Sequence, residues 1–172
     1  MKVWRFFFFT VIGTVFLGGR AFAAENDKMA YVDVAKVFDE YQRTKDNDKT
    51  LQEVGKKKED ERQQLVDRLK QMKDEMSLLR DDAKSKKEEA LENKMRELQD
   101  FDRDAKRDLG EQRNKAVREI FKDIDDTVHR YGERKGLDLI LNERALIYHN
   151  TKNDITQEVL GELNKNYSKK KK

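Results

Sequence analysis

The sequence contains neither cysteine nor proline. Without cysteine there is no disulfide framework, no thiolate nucleophile and no thiolate ligand for a metal. Without proline nothing in the chain removes a backbone donor from a long helix. Glycine is scarce as well: of eight residues, three lie at Gly13, Gly18 and Gly19 and three at Gly132, Gly136 and Gly161, which leaves Gly55 and Gly110 alone in the long middle. Histidine occurs twice, as His129 and His149, in different predicted elements, and no glycine-rich loop follows a strand. No nucleophile, metal set or phosphate cradle can be assembled from these residues, so the chain is expected to be non-enzymatic, with no catalytic, cofactor-binding or metal residues.

Apolar residues are also few. They make up 36% of the chain and charged residues 42%, against about a quarter charged in ordinary globular proteins. A single large core is excluded, and an exported chain this poor in core must gain stability by oligomerising. The one long apolar run is Phe6 to Leu17, preceded by Lys2 and Arg5 and followed by Ala21-Phe22-Ala23. This order is that of a secretory signal peptide over residues 1–23, and the run is too short to span a bilayer.

Removing residues 1–23 takes away Lys2, Arg5 and Arg20 and leaves 35 basic and 35 acidic residues, so the mature chain is neutral. Nothing in that balance provides a basic face for nucleic acid, which is not expected as a partner. Concentrated charge is confined to the tail, 169–172, all lysine. It reads as a solvated terminus, or else as a weak attraction to anionic lipid.

Residues 42–131 hold 24 basic and 24 acidic residues, well mixed. Periodicity separates a solvated helix pair from disorder. Leu65, Leu69, Met72, Met76 and Leu79 step by four and three, and Leu91, Met95 and Leu98 keep the rhythm of a coiled-coil seam. In an antiparallel pair, facing positions have a constant sum, and Met76 with Leu91, Met72 with Met95, Leu69 with Leu98 and Leu51 with Ala116 all sum to 167. The predicted turn therefore lies near 82–86, where Ser85 and Glu88 have capping-box spacing. Each arm would be about 60 Å long at 1.5 Å per residue. Residues 55–64 are without an apolar side chain, yet face Phe101, Ala105 and Leu109. Either lysine and arginine stems cover that row, or it is offered as a client contact. Gly55 and Gly110 fall at nearly the same height, which suggests a flexing point.

The flanks carry the folded part. In "MAYVDVAKVFDEY", Ala30, Val32 and Val34 alternate as one strand face, and from Val34 the spacing changes to helical through Val37, Phe38 and Tyr41. Downstream, "YGERKGLDLILNERALIYHN" predicts a helix end at Gly132 and Gly136 and then a hairpin of two strands, Leu137 to Leu141 and Ala145 to His149. A last helix opens at Asp154 with Ile155, Val159, Leu160 and Leu163 on its apolar face. Three short strands leave exposed edges, which pairing between subunits would cover. The predicted organisation is a body of 24–41 and 132–168, an arm of 42–131 and the basic tail. The fold class is mainly α with a small β body.

Taken together, "MAYVDVAKVFDEY", "YGERKGLDLILNERALIYHN" and "DITQEVLGELN", in this order around a charged helical middle, resemble the Skp (OmpH-like) family of periplasmic chaperones. The resemblance covers essentially the whole mature chain. It implies a jellyfish-like homotrimer in which strands from three subunits form the body and three hairpins project as tentacles. Unfolded outer-membrane proteins would be held between them without ATP. Carried over by position, Ala30, Val32, Val34, Phe38, Leu137, Leu139, Leu141, Leu146, Tyr148, Ile155, Val159 and Leu163 would be body and trimerisation residues, and Phe101, Ala105 and Leu109 client contacts. Family members are markedly basic, a property tied to lipopolysaccharide contact, and the neutral mature chain departs from it. The alternative function is a structural or adaptor coiled coil of the cell envelope.

Overall fold

The computed structural model describes residues 28–171. The expected signal peptide of residues 1–23, residues 24–27 of the expected body, and Lys172 lie outside the described residues. In chain order the elements are strand β1 (Met29–Val32), helix α1 (Val34–Glu40), helix α2 (Gln42–Ser77), helix α3 (Asp81–Lys135), strand β2 (Leu139–Asn142), two 3₁₀ turns (Glu143–Ala145 and Thr151–Asn153) and helix α4 (Thr156–Lys170). Among these, no helix is long and apolar enough to cross a membrane.

The change of period at Val34 is a change of element. Asp33 caps α1, its carboxylate accepting the Lys36 N–H at 3.0 Å. Tyr41 then adopts an extended backbone, φ −62° and ψ 128°, and separates α1 from α2 without help from glycine or proline. At the far end of α2 the Ser77 hydroxyl donates to the Asp74 carbonyl at 2.7 Å, a local bond that competes with helix continuation. The arm consequently turns at 78–80, earlier than the predicted 82–86, and Ser85 lies inside α3 rather than capping it. Cross-arm ion pairs agree with the earlier turn. Lys87 meets Glu75 at 2.6 Å and Arg62 meets Asp102 at 3.0 Å, with sums of 162 and 164 instead of 167.

Helix α3 runs through Gly132 and stops at Gly136, whose φ of +60° is the left-handed conformation glycine takes without strain. The Leu137 N–H returns to the Gly132 carbonyl at 3.0 Å and closes the end. Gly132 serves packing instead: a Cβ there would sit 3.1 Å from Ile140 Cδ1.

The sheet has two parallel strands, with Met29 opposite Leu139, Ala30 opposite Ile140, Tyr31 opposite Leu141 and Val32 opposite Asn142. The whole arm is the crossover between them. The predicted hairpin does not form: Asn142 accepts the Arg144 N–H and starts a 3₁₀ turn at Glu143–Ala145, and Leu146 to His149, expected in the second strand, form no strand. On its other side β1 touches the chain entering α4, where the Ile155 N–H donates to the Tyr31 carbonyl at 3.0 Å. Asp154 accepts the Thr156 N–H at 2.8 Å, a turn bond that leads into α4, which starts at Thr156 rather than at Asp154.

The core joins the sheet to α1, α3 and α4, with Tyr41 at the entry to α2. It comprises Ala30, Val32, Val37, Tyr41, Ile120, Ile124, Tyr131, Ile155, Val159, Leu160 and Leu163. Val34, Phe38, Leu137 and Ile140 pack around it. Ile120, Ile124 and Tyr131 belong to α3, so the packed body reaches back into residues predicted as arm. One continuous helix serves as both.

Candidate functional site

Among the described residues no group of histidines and carboxylates has the arrangement to hold a metal ion. The chemistry of this molecule lies in two surfaces, the seam of the arm and the outer face of the sheet.

Along α2 the inward positions are Leu51, Gly55, Lys58, Arg62, Leu65, Leu69, Met72 and Met76, an unbroken sequence of alternating fours and threes. Lys58 and Arg62 occupy seam positions and are half-buried. The Lys58 ammonium lies 5.3 Å from the centroid of the Phe101 ring, and Arg62 is bound to Asp102. The stems therefore cover much of the row formed by Phe101, Ala105 and Leu109, all half-buried within the chain. On α3 the matching inward positions are Lys87, Leu91, Lys94, Leu98, Phe101 and Ala105, which moves Met95 out of the seam to 42% exposure.

Displaced Met95 opens a groove. Val66, Leu69, Met95 and Leu98 form its apolar walls, Lys70, Lys73 and Gln99 complete the lining, and the space is about 380 Å³. Of these, the spacing predicts Leu69, Met95 and Leu98 as seam residues, and Met95 is the one the structure displaces. The signal that could have found the groove was Lys94, whose spacing of three from Leu91 and four to Leu98 competes with Met95 for the inward position. Gly55 is half-buried and Gly110 exposed, both within unbroken helices, and a Cβ at either would meet nothing within 4 Å.

The sheet has two faces of different character. Ala30, Val32 and Ile140 point to the helices. Register puts Leu139 and Leu141 on the same face as Met29 and Tyr31, not on the core face with Ala30 and Val32 as the alternation was read. That second face continues into Leu146, Tyr148 and His149. Much of it is uncovered in the single chain: Met29 is 49%, Leu139 45% and Tyr148 85% exposed, and neighbouring Ile147 fully so. Tyr148 thus lies in no strand and outside the chain's own core, and Leu146 is half-buried. The ring of His149 lies against Tyr31 with centroids 4.2 Å apart, and its Nε2 faces Glu143 at 3.2 Å. The Tyr31 hydroxyl and His149 Nδ1 are buried with no hydrogen-bond partner among the described residues. Burial, with Asp154 and Glu143 nearby, raises the pKa of Tyr31.

The molecule thus joins a long charged hairpin carrying an open apolar groove to a small body with an uncovered sheet face. The chain matches the family model described as "Outer membrane protein (OmpH-like)" over residues 28–163 and belongs to that family. None of the curated proteins compared matches it. A crystal structure from Caulobacter crescentus, described provisionally as an outer membrane chaperone (OmpH-like), shares the fold with a TM-score of 0.75 at 14% identity, over 81% of this chain and 85% of that one.

Proposed function

We propose that this protein is an ATP-independent holdase of the periplasm that binds unfolded outer-membrane β-barrel proteins between the arms of a homotrimer. The observation that carries the reading is the arm itself. Its apolar groove, walled by Val66, Leu69, Met95 and Leu98, is open, with Met95 42% exposed, whereas nearer the body the inward positions of α2 are taken by the charged stems of Lys58 and Arg62. Shallow apolar contacts of this kind, repeated on several arms and spaced by mixed charge, hold an unfolded chain loosely enough to release it. Membership of the OmpH-like family supports the chaperone role, and the uncovered face of Met29, Leu139 and Tyr148 supports assembly through the sheet. Under this reading the arms flex at Gly55 and Gly110 to fit clients of different size.

The test is a dilution assay. Mature protein added at one trimer per client should keep a urea-unfolded outer-membrane barrel protein from scattering light, with no nucleotide present. Failure to do so while the protein remains trimeric would overturn the holdase reading and leave a coiled-coil adaptor.

A further inference from the structure

The lysine-rich end of α4 is not a loose tail. Asn164, Tyr167 and Lys171 follow at spacings of three and four and share one face of the helix. All three reach the root of α2. Asn164 Oδ1 accepts the backbone N–H of Gln42 at 2.9 Å, satisfying a first-turn donor that α2's own cap residue, Tyr41, leaves without a side-chain acceptor. The Tyr167 hydroxyl donates to Asp46 Oδ2 at 3.0 Å, and Lys171 Nζ donates to the same oxygen at 2.8 Å. Gln42 Nε2 fills the other carboxylate oxygen at 2.8 Å. The ring of Tyr167 meets Tyr41 edge-on at 5.9 Å. Lys170 lies 3.9 Å from Asp123, which also receives the Tyr41 hydroxyl at 3.0 Å and Arg43 at 2.7 Å.

At this root α2 is held to α3 directly by Arg43, which pairs with Asp123 at 2.7 Å and with Glu119, and the last turn of α4 adds to that hold. Helix α3 passes from tip to core without a break, whereas the path from body to α2 is interrupted by the single extended residue Tyr41. Immediately above the root, residues 48–50 of α2 and 110–115 of α3 are all exposed, so no buried seam residue ties the two helices there. We propose that the C-terminal turn of α4 is a latch that clips the root of α2 onto the continuous rod of α3 and thereby sets the stiffness of the arm. Released, the first turns of α2 part from α3 while the body stays packed.

Because the protein has no cysteine, a pair of introduced thiols can be spin-labelled without background. Asp48→Cys and Gln112→Cys place labels on the exposed segments above the root, and dilution with unlabelled protein confines the signal to pairs within one chain. The Tyr167→Phe, Lys171→Met double variant is expected to widen the distance distribution about twofold and to lower amide protection at 42–50 about tenfold, with protection at 65–75 unchanged. Lys87→Met, which removes an ion pair near the tip, should leave both readouts at the root alone. Unchanged width in a double variant that keeps its helical content overturns the latch. If the double variant loses helix, Lys171→Met by itself decides: it must widen the distribution, and an unchanged one overturns the proposal.

Discussion

Lys58 sits in the seam of the arm with its ammonium 5.3 Å from the centre of the Phe101 ring on the opposite helix. A cation thus takes a position where a leucine would continue the heptad pattern. Phe101→Ala is expected to cost about 2 kcal/mol, below the 3–5 typical of a fully buried ring because Phe101 is only half-buried. Lys58→Ala should cost less than about 1 kcal/mol, and a double-mutant cycle in urea should return a coupling of about 0.5 kcal/mol. Zero coupling would mean the two side chains merely pass each other.

The glycines of the helices should respond in opposite directions. A Cβ at Gly55 or Gly110 meets open space, so alanine at each should stabilise the arm by about 1 kcal/mol through helix propensity alone. Gly136→Ala forces a left-handed residue with a Cβ and should cost about 1 kcal/mol. Denaturant midpoints separate the two cases, and amide exchange at 53–60 should slow in Gly55→Ala if that segment flexes.

Acid should open the root of the arm before the body. Hydrogen bonds from Lys171, Gln42 and Tyr167 lower the pKa of Asp46 to about 2. A carboxylate with a depressed folded pKa contributes stability that is complete above its unfolded value near 4 and is lost as pH falls from there toward 2. Carbon-13 titration of the Asp46 carboxyl should give a midpoint near 2 in the intact protein and one shifted back toward the ordinary range in Lys171→Met.

Core and assembly should be separable by mutation. Leu163 is 1% exposed at the centre of the body, and Leu163→Ala should cost about 2–5 kcal/mol. Tyr148 is 85% exposed in the single chain, so Tyr148→Ala should leave helical content unchanged. If the uncovered sheet face is the assembly surface, light scattering will nevertheless show a lower molar mass for that variant.

Much of this molecule was legible because its signals are local and periodic. The strand-to-helix change at Val34, the charged helices of the arm, and the face of Ile155, Val159 and Leu163 all follow from spacing within one element, whereas the cover of Phe101 by Lys58 was one of two alternatives that only the pairing of α2 with α3 separated. The seam register came close, and missed by about one turn, because Ser77 ends α2 through a bond to its own backbone that no apolar pattern records. The strand faces were harder. Leu137, Leu139 and Leu141 alternate correctly, but alternation does not say which face meets the core, and only pairing with Met29 and Tyr31 decides it.

The amino-acid sequence by itself determined that there would be long helices and a small body. Absent proline and cysteine, sparse glycine and balanced charge act residue by residue, wherever the chain goes. Tertiary structure alone decided that β1 and β2 run parallel, that Ile120, Ile124 and Tyr131 of the arm helix also build the body, that Met95 opens a groove, and that Asn164, Tyr167 and Lys171 close on Gln42 and Asp46. Those contacts join residues a hundred or more positions apart or on opposing helices. Their energies depend on where two elements meet, a quantity that no local pattern contains.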